Sequence, residues 1–352
     1  MRKQNKSERA AARLGRAGPA AATGHFLKDR SVSALTLSHY QQWHQRLRDF
    51  HGRQLPTSLE ELDRVVAAFM DHLFFLGESQ WTGRMALYGT AFVLDLSFAQ
   101  PACMVRAKRA LRGWDKASPE FSRDPLPWVA LGAICSWLAQ HRGQVGLQAA
   151  RALALQGDAY FRPSELLAIQ RQHVTVPHPR LGSKFKTYSI VVAPSLRDPQ
   201  LASYVEVKAA KSGHFDDTVI IGDEASLRAH RQWLMPLMQR LVRNAPKPAD
   251  FLFPLLTLPA LERLFADAVS ALGLVGLRAT PHCVRHLGPS EDCLAGTRTL
   301  QQVQARGRWQ AAASVARYSK QARLLRQVAL VPEAALAAGT AALNCMASVL
   351  QV

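Results

Sequence analysis

Acidic residues are scarce in this sequence: 26 Asp and Glu stand against 44 Lys and Arg over 352 residues, a formal net charge of +18. Such a deficit of negative charge argues against cationic partners and points first to a polyanion, nucleic acid. Cysteine is sparse as well. The five present (Cys103, Cys135, Cys283, Cys293, Cys345) are odd in number and none forms a CxxC pair. That argues against a disulfide framework and a cysteine-rich zinc site, and for a reducing compartment. Long apolar runs are missing too, because Arg, Gln, Asp or Gly interrupts each one before it reaches the length of a membrane span. The N-terminal MRKQNKSERAAARLGRAG has no apolar core of the kind a secretory signal needs. The expectation is a soluble intracellular protein without a membrane partner, DNA-associated, nuclear in a eukaryotic host and cytoplasmic otherwise.

What is present is mostly helical patterning. Residues 1–24 hold six basic residues and one acid among Ala and Gly, which reads as a disordered basic arm, either a solubilising tail or a phosphate-contacting arm or nuclear address. Over 30–114 the chain reads as a helical bundle. Leu37, Tyr40, Trp43, Leu47 and Phe50 recur every three or four residues. Ser58 with Glu61 resembles a capping box, and Gly77 suits a helix stop. The last helix of the bundle, opening near Pro101, carries Arg106, Lys108, Arg109 and Arg112. This face is merely solvated, or contacts a DNA backbone if DNA is the partner. The Pro-rich 115–127 reads as a linker. A second, mostly helical domain is expected over 128–331, with a small antiparallel sheet from 188–192, 204–208 and 217–221. Lys211 falls at the turn between the last two strands. The predicted fold class is therefore mainly α (α+β).

Two stretches carry chemistry. TPHCVRH (280–286) sets His282 and His286 one helical turn apart, as zinc ligands are. Yet no Glu stands beside the first His, and Arg285 between the two would repel a divalent ion, so no metal site is assigned. The Thr-Pro opening instead suggests a helix start, where free N–H groups favour an anion. There Arg285 offers a bidentate donor for phosphate oxygens and His282 a further hydrogen bond. Upstream, in FRPSELL (161–167), Arg162 precedes Pro163 and Glu165, both helix-start signals. Glu165 either buttresses Arg162 or complements the helix dipole. Downstream, Trp309 stands nine residues before Tyr318, in a stretch from Asp292 to Glu333 that has seven Lys or Arg and no acid between them. A positive field of that kind can stabilise a phenolate nucleophile.

In this order FRPSELL, KSG in a hairpin, TPHCVRH, RGRW and ARY resemble the tyrosine recombinase (phage integrase) family over about 125–330, and the preceding bundle resembles that family's core-binding domain. The resemblance implies a catalytic domain over 128–331 and a core-binding domain over 30–114. It implies that Arg162 and Arg285 hold the scissile phosphate, that His282 assists proton transfer or stabilises the transition state, and that Lys211 protonates the departing 5′ oxygen, with Lys208 its nearest rival. Trp309 would donate its indole N–H, and Tyr318 would attack phosphorus to give a 3′-phosphotyrosine. No cofactor is required, since the covalent link conserves the phosphodiester. The implied partner is double-stranded DNA, bound by a homotetramer. A type IB topoisomerase and a non-cleaving DNA-binding descendant are the alternatives. Gly288 and Pro289 depart from the family pattern and are expected to kink or restart the helix. The segment 332–352 is a candidate for subunit exchange, or else closes the protein's own core.

Overall fold

The structure is a computed structural model that describes residues 26–29, 31–52, 54–97, 103–119, 123–178, 180, 182, 185–192, 218–309, 315 and 320–352. The basic arm, the expected strand at 204–208, Lys208, Lys211 and Tyr318 lie outside the described residues. Chain contacts divide between Phe121 and Ser122 into two compact units.

Among the described residues the first unit has a single helical turn at Phe26–Asp29 and four longer helices, α1 (Ala34–His51), α2 (Leu59–Phe75), α3 (Gln80–Val93) and α4 (Val105–Ala117). Ser33 caps α1 by accepting from the Thr36 N–H at 3.1 Å. Ser58 sits at the N-cap of α2, but its side chain makes no cap bond, so the expected capping box is not formed. On α1 the buried residues are Trp43 and Leu47, which join Leu62, Val66, Phe69, Met70, Leu73, Leu87 and Trp114 in one core. Phe50, expected on the same face, is partly exposed at the end of the helix. The basic helix α4 starts later than the proline signal suggested. Its first-turn N–H groups, Arg106 and Ala107, are taken by the Asp63 carboxylate of α2 at 2.8 and 2.9 Å. A tertiary acid thus does what a local cap would do.

The second unit is built on the hairpin of α5 (Trp128–His141) and α6 (Gly143–Ala159). Nearly every residue of α6 from Gly146 to Ala159 is buried, with Arg151, Gln156 and Asp158 as buried polar side chains among small and apolar ones. After α7 (Pro163–Leu167) come β1 (Val174–Thr175), β2 (Tyr188–Val191) and β3 (Thr218–Ile221), an antiparallel sheet in sequence order. Ile190 pairs with Val219 and with Val174, so the inward side chains of β2 and β3 meet the core. Then follow α8 (Glu224–Arg228), α9 (Leu234–Asn244), α10 (Leu258–Ala271), α11 (Pro281–Leu294), α12 (Leu300–Gly307), α13 (Gln321–Ala329), α14 (Glu333–Asn344) and α15 (Met346–Val349). The fold is mainly α with one small sheet.

The C-terminal helices close the core of their own unit. A Cβ on Gly132 of α5 would lie 2.9 Å from the Gly339 carbonyl, and one on Gly339 of α14 would lie 1.9 Å from the Val129 carbonyl. The two backbones therefore touch where both side chains are hydrogen. Arg151 clasps the end of the chain through the Leu350 and Gln351 carbonyls at 2.9 and 3.3 Å.

Candidate active site

Helix α6 ends at Tyr160, whose φ of 57° turns the chain through the left-handed region. Two residues later Arg162 takes an extended conformation as the N-cap of α7, with Pro163 in the first turn. Glu165 reaches back to accept the Arg162 backbone N–H at 2.8 Å and also pairs with its guanidinium. The local pattern therefore fixes Arg162 at a helix start, with about 29% of its side chain exposed.

Helix α11 opens at Pro281 and carries His282, Arg285 and His286 within its first two turns. It runs without a break through Gly288 and Pro289 to Leu294, so the helix does not restart there. Gly288 is there for a different reason. A Cβ at this position would lie 2.2 Å from the Gly157 carbonyl and 2.3 Å from the Tyr160 ring. Only hydrogen lets α11 cross the end of α6 so closely.

That crossing brings the cations together on one carboxylate. Glu165 Oε2 accepts from Arg308 Nη2 at 2.7 Å and from Arg285 Nη1 at 3.3 Å, while Arg162 pairs with Oε1. Arg285 is wholly covered, and its guanidinium also donates to the Tyr160 and Gly307 carbonyls at 2.7 and 3.0 Å. The Trp309 ring lies 5.5 Å from the Arg285 guanidinium carbon and stacks on Tyr160 with centroids 6.3 Å apart. Burial pushes the Glu165 carboxyl up, but Arg308, Arg285 and Arg162 outweigh it and hold the group below its usual range.

The histidines beside these arginines are neutral at physiological pH. Burial, then Arg123, Arg285 and Arg162, lower His282 to about 4. Burial, then Lys320 and the neighbouring cations, lower His286 to about 3. The two rings are 5.6 Å apart, and among the described residues no three His, Cys, Asp or Glu gather as metal ligands would. Lys320, two residues past Tyr318 in sequence, is buried and donates to the Arg123 carbonyl.

Under the site lies a closed ring of six buried or half-buried charges. Arg231 bridges Asp158 and Asp292, Arg298 bridges Asp292 and Asp223, and Arg306 bridges Asp223 and Asp158. Burial opposes the Asp223 carboxylate, yet Arg306 and Arg298 bring it down to about 2. The Tyr160 hydroxyl donates to Asp292, so the residue whose carbonyl holds Arg285 is itself tied to the ring.

Four residues predicted from sequence thus come together: Arg162 and Arg285 on Glu165, Trp309 against Arg285, and His282 in the field of the two arginines. Lys211 and Tyr318 lie outside the described residues, although Val315 packs in the cluster of Trp309 and Tyr160. Arg106, Arg109 and Arg112 are exposed on α4 of the first unit and Lys108 is half-buried. Arg308, Arg123, Lys320 and the charged ring were not singled out. Arg308 belongs to the RGRW stretch, and only its bond to Glu165 sets it apart from Arg306, which belongs to the ring.

Among the described residues no helix is long and apolar enough to cross a membrane. No protein-family model and no curated protein matches the sequence. Solved structures do. The XerH site-specific recombinase, bound to palindromic difH substrate in a post-cleavage complex, aligns with a TM-score of 0.52 at 14% identity over 85% of this chain and 80% of its own. The Tn1549 transposon integrase, in complex with transposon right-end DNA, aligns with a TM-score of 0.53 at 13% identity over 84% and 95%. At such low identity the likeness lies in the path of the backbone, and it supports one conclusion: this chain has the tyrosine recombinase fold.

Proposed function

We propose that this chain is a site-specific DNA recombinase that cuts and rejoins double-stranded DNA through a 3′-phosphotyrosine on Tyr318, working as a homotetramer on two duplexes. The observation that carries the reading is that Arg162 and Arg285, distant from each other in sequence, share the Glu165 carboxylate, with Trp309 against the Arg285 guanidinium and His282 in the field of both arginines. Arg162, the more exposed of the two predicted phosphate arginines, meets a non-bridging oxygen. Arg285 supplies its charge through the floor of the site. The anionic phosphate offsets the cations that hold His282 unprotonated, so its ring accepts the Tyr318 phenolic proton once DNA is bound. The phenolate oxygen then bonds to phosphorus as the bond to the 5′ oxygen breaks, and that oxygen leaves with the electron pair and takes a proton from Lys211. One phosphodiester is exchanged for another, so no outside energy source enters. The exposed arginines of α4 bind the flanking backbone by charge, which makes binding salt-dependent.

A nicked suicide duplex tests this. The wild type becomes covalently attached to the DNA strand and Tyr318→Phe does not; an adduct formed by the Phe variant removes Tyr318 as nucleophile. A second reading, a type IB topoisomerase of the same chemistry, is favoured by one observation: α14 and α15 close the core of their own unit, where a monomeric enzyme would keep them. Relaxation of supercoiled DNA without any joined-duplex product decides for it. A salt-sensitive gel shift with no covalent product at all would leave a non-cleaving DNA-binding protein.

A further inference from the structure

Arg123 stands where the chain enters the second unit, in the stretch expected to be a linker, and its main chain is fastened there. Its carbonyl accepts from the Lys320 ammonium, while the Lys320 backbone N–H donates to Ser290 Oγ of α11 at 3.4 Å. The next residue, Asp124, accepts from Arg323 Nη1 at 3.1 Å on one carboxylate oxygen and from Gln327 Nε2 at 3.2 Å on the other, both on α13. Pro125, Leu126 and Pro127 then run buried into α5. The Arg123 side chain, by contrast, is exposed, and among the described residues its guanidinium makes no ion pair and no hydrogen bond.

Its neighbours are mostly cations. After burial, Arg123 weighs most on the half-buried His282 ring, ahead of Arg285 and Arg162; on the buried His286 it follows burial, Lys320, His282 and Arg285. Glu165 offsets part of this field, from the side of α7, where it holds Arg162 and Arg285. A cation set among cations opposes folding. Stability therefore gives no reason to fasten an arginine here, whereas an anion does. Arg162 and Arg285 meet on the α7 side of α11, and Arg123 is tied to Lys320 on the α13 side. Arginines on both sides suit two anionic groups, and successive phosphates of one strand supply them.

We propose that Arg123 is a phosphate-binding residue whose guanidinium holds the phosphodiester next to the scissile one on the cleaved strand. The proposal rests on the DNA-cleaving reading above and adds to it a contact made from the entry segment of the second unit. The planar fork fits two phosphate oxygens, and with the main chain already fixed only the side chain is ordered on binding. A contact beside the reacting phosphate is equally strong before and during the reaction, so it sets affinity and leaves the chemical step alone.

The test is binding of an uncut duplex that carries the cleavage site, with Tyr318→Phe in every protein so that no strand opens. Arg123→Ala weakens binding about 10-fold, and the slope of log K against log salt becomes shallower by about 0.9, the share of one phosphate. Arg123→Lys keeps the slope and recovers part of the affinity. A methylphosphonate, which removes the charge of a single phosphate, is then placed in turn at the scissile phosphate, at each of its neighbours and at a distant position. At one neighbour Arg123→Ala binds within about twofold of its parent, while at the distant position the full loss remains. With Tyr318 restored and DNA saturating, Arg123→Ala cleaves the suicide duplex within about threefold of the wild-type rate. Unchanged affinity and slope, a penalty that persists at both neighbours, a loss confined to the cleavage rate, or a Tm lowered by more than ~5 °C as for a structural residue would each overturn the proposal. A wild type that never forms the adduct sinks the recombinase reading instead, and the salt slope on the uncut duplex still decides whether Arg123 holds a phosphate.

Discussion

Replacing Asp158 with Asn changes one atom's identity and removes one charge from the buried ring. Asp158 is wholly covered and accepts from Arg231 Nη1 at 3.0 Å, from Ser226 Oγ at 2.7 Å and from Arg306. Burial pushes its carboxyl up, but Arg306, Arg231 and Arg298 outweigh that and keep it ionised. In the variant the three arginines face two carboxylates. Arg231 and Arg306, about 5% and 6% exposed, are left without a full countercharge. Breaking a buried pair from one side costs about 3–5 kcal/mol. For a unit of this size each kcal/mol lowers Tm by about 2–4 °C, so the expected fall is roughly 6–20 °C. Urea unfolding should show the midpoint lowered with the slope unchanged. The double variant Asp158→Asn with Arg231→Gln restores neutrality and should recover at least ~1 kcal/mol over the sum of the single losses. A single variant within ~1 kcal/mol of wild type, or a strictly additive double, would refute the view that the ring acts as one matched set.

Two further outcomes follow from the same geometry. His282 and His286 stay neutral when folded down to about 4 and about 3, whereas unfolded imidazoles take up protons near pH 6.5. The unfolded chain therefore binds more protons between those values, so stability is complete above about pH 6.5 and declines as pH falls toward 4. Urea midpoints measured from pH 7 to 4.5 check this, and a flat profile would be wrong for two buried neutral histidines. Gly288→Ala would gain about 1 kcal/mol from helix propensity alone, but its Cβ would meet the Gly157 carbonyl at 2.2 Å and the Tyr160 ring at 2.3 Å. The overpacking should win, with a net loss of ~2 kcal/mol or more by thermal melt; a stabilised variant would mean that α11 and α6 are not in backbone contact.

Sequence by itself determined what depends on neighbours along the chain. The start of α7 at Arg162-Pro163 and the start of α11 at Thr280-Pro281 were legible because proline and a reaching glutamate act within one turn. So were the helical class, the bundle before the boundary, and the strands β2 and β3, whose alternation is a local period; that these two pair with each other was not, since the hairpin was expected between 204–208 and 217–221. The paired strand at Val174–Thr175 was not, since two residues carry no period. Nor was the start of α4, set by Asp63 from another helix.

Tertiary structure alone decided which charges meet. Asp158, Asp223 and Asp292 are scattered in sequence and look like surface acids, yet they close a ring with Arg231, Arg298 and Arg306. In RGRW the two arginines are indistinguishable on paper, but Arg306 joins that ring and Arg308 turns to Glu165. Coulombic partnership depends on distance through space, and a chain position fixes that distance only within a turn or two; beyond it, the packing of α6, α11 and α12 makes the choice.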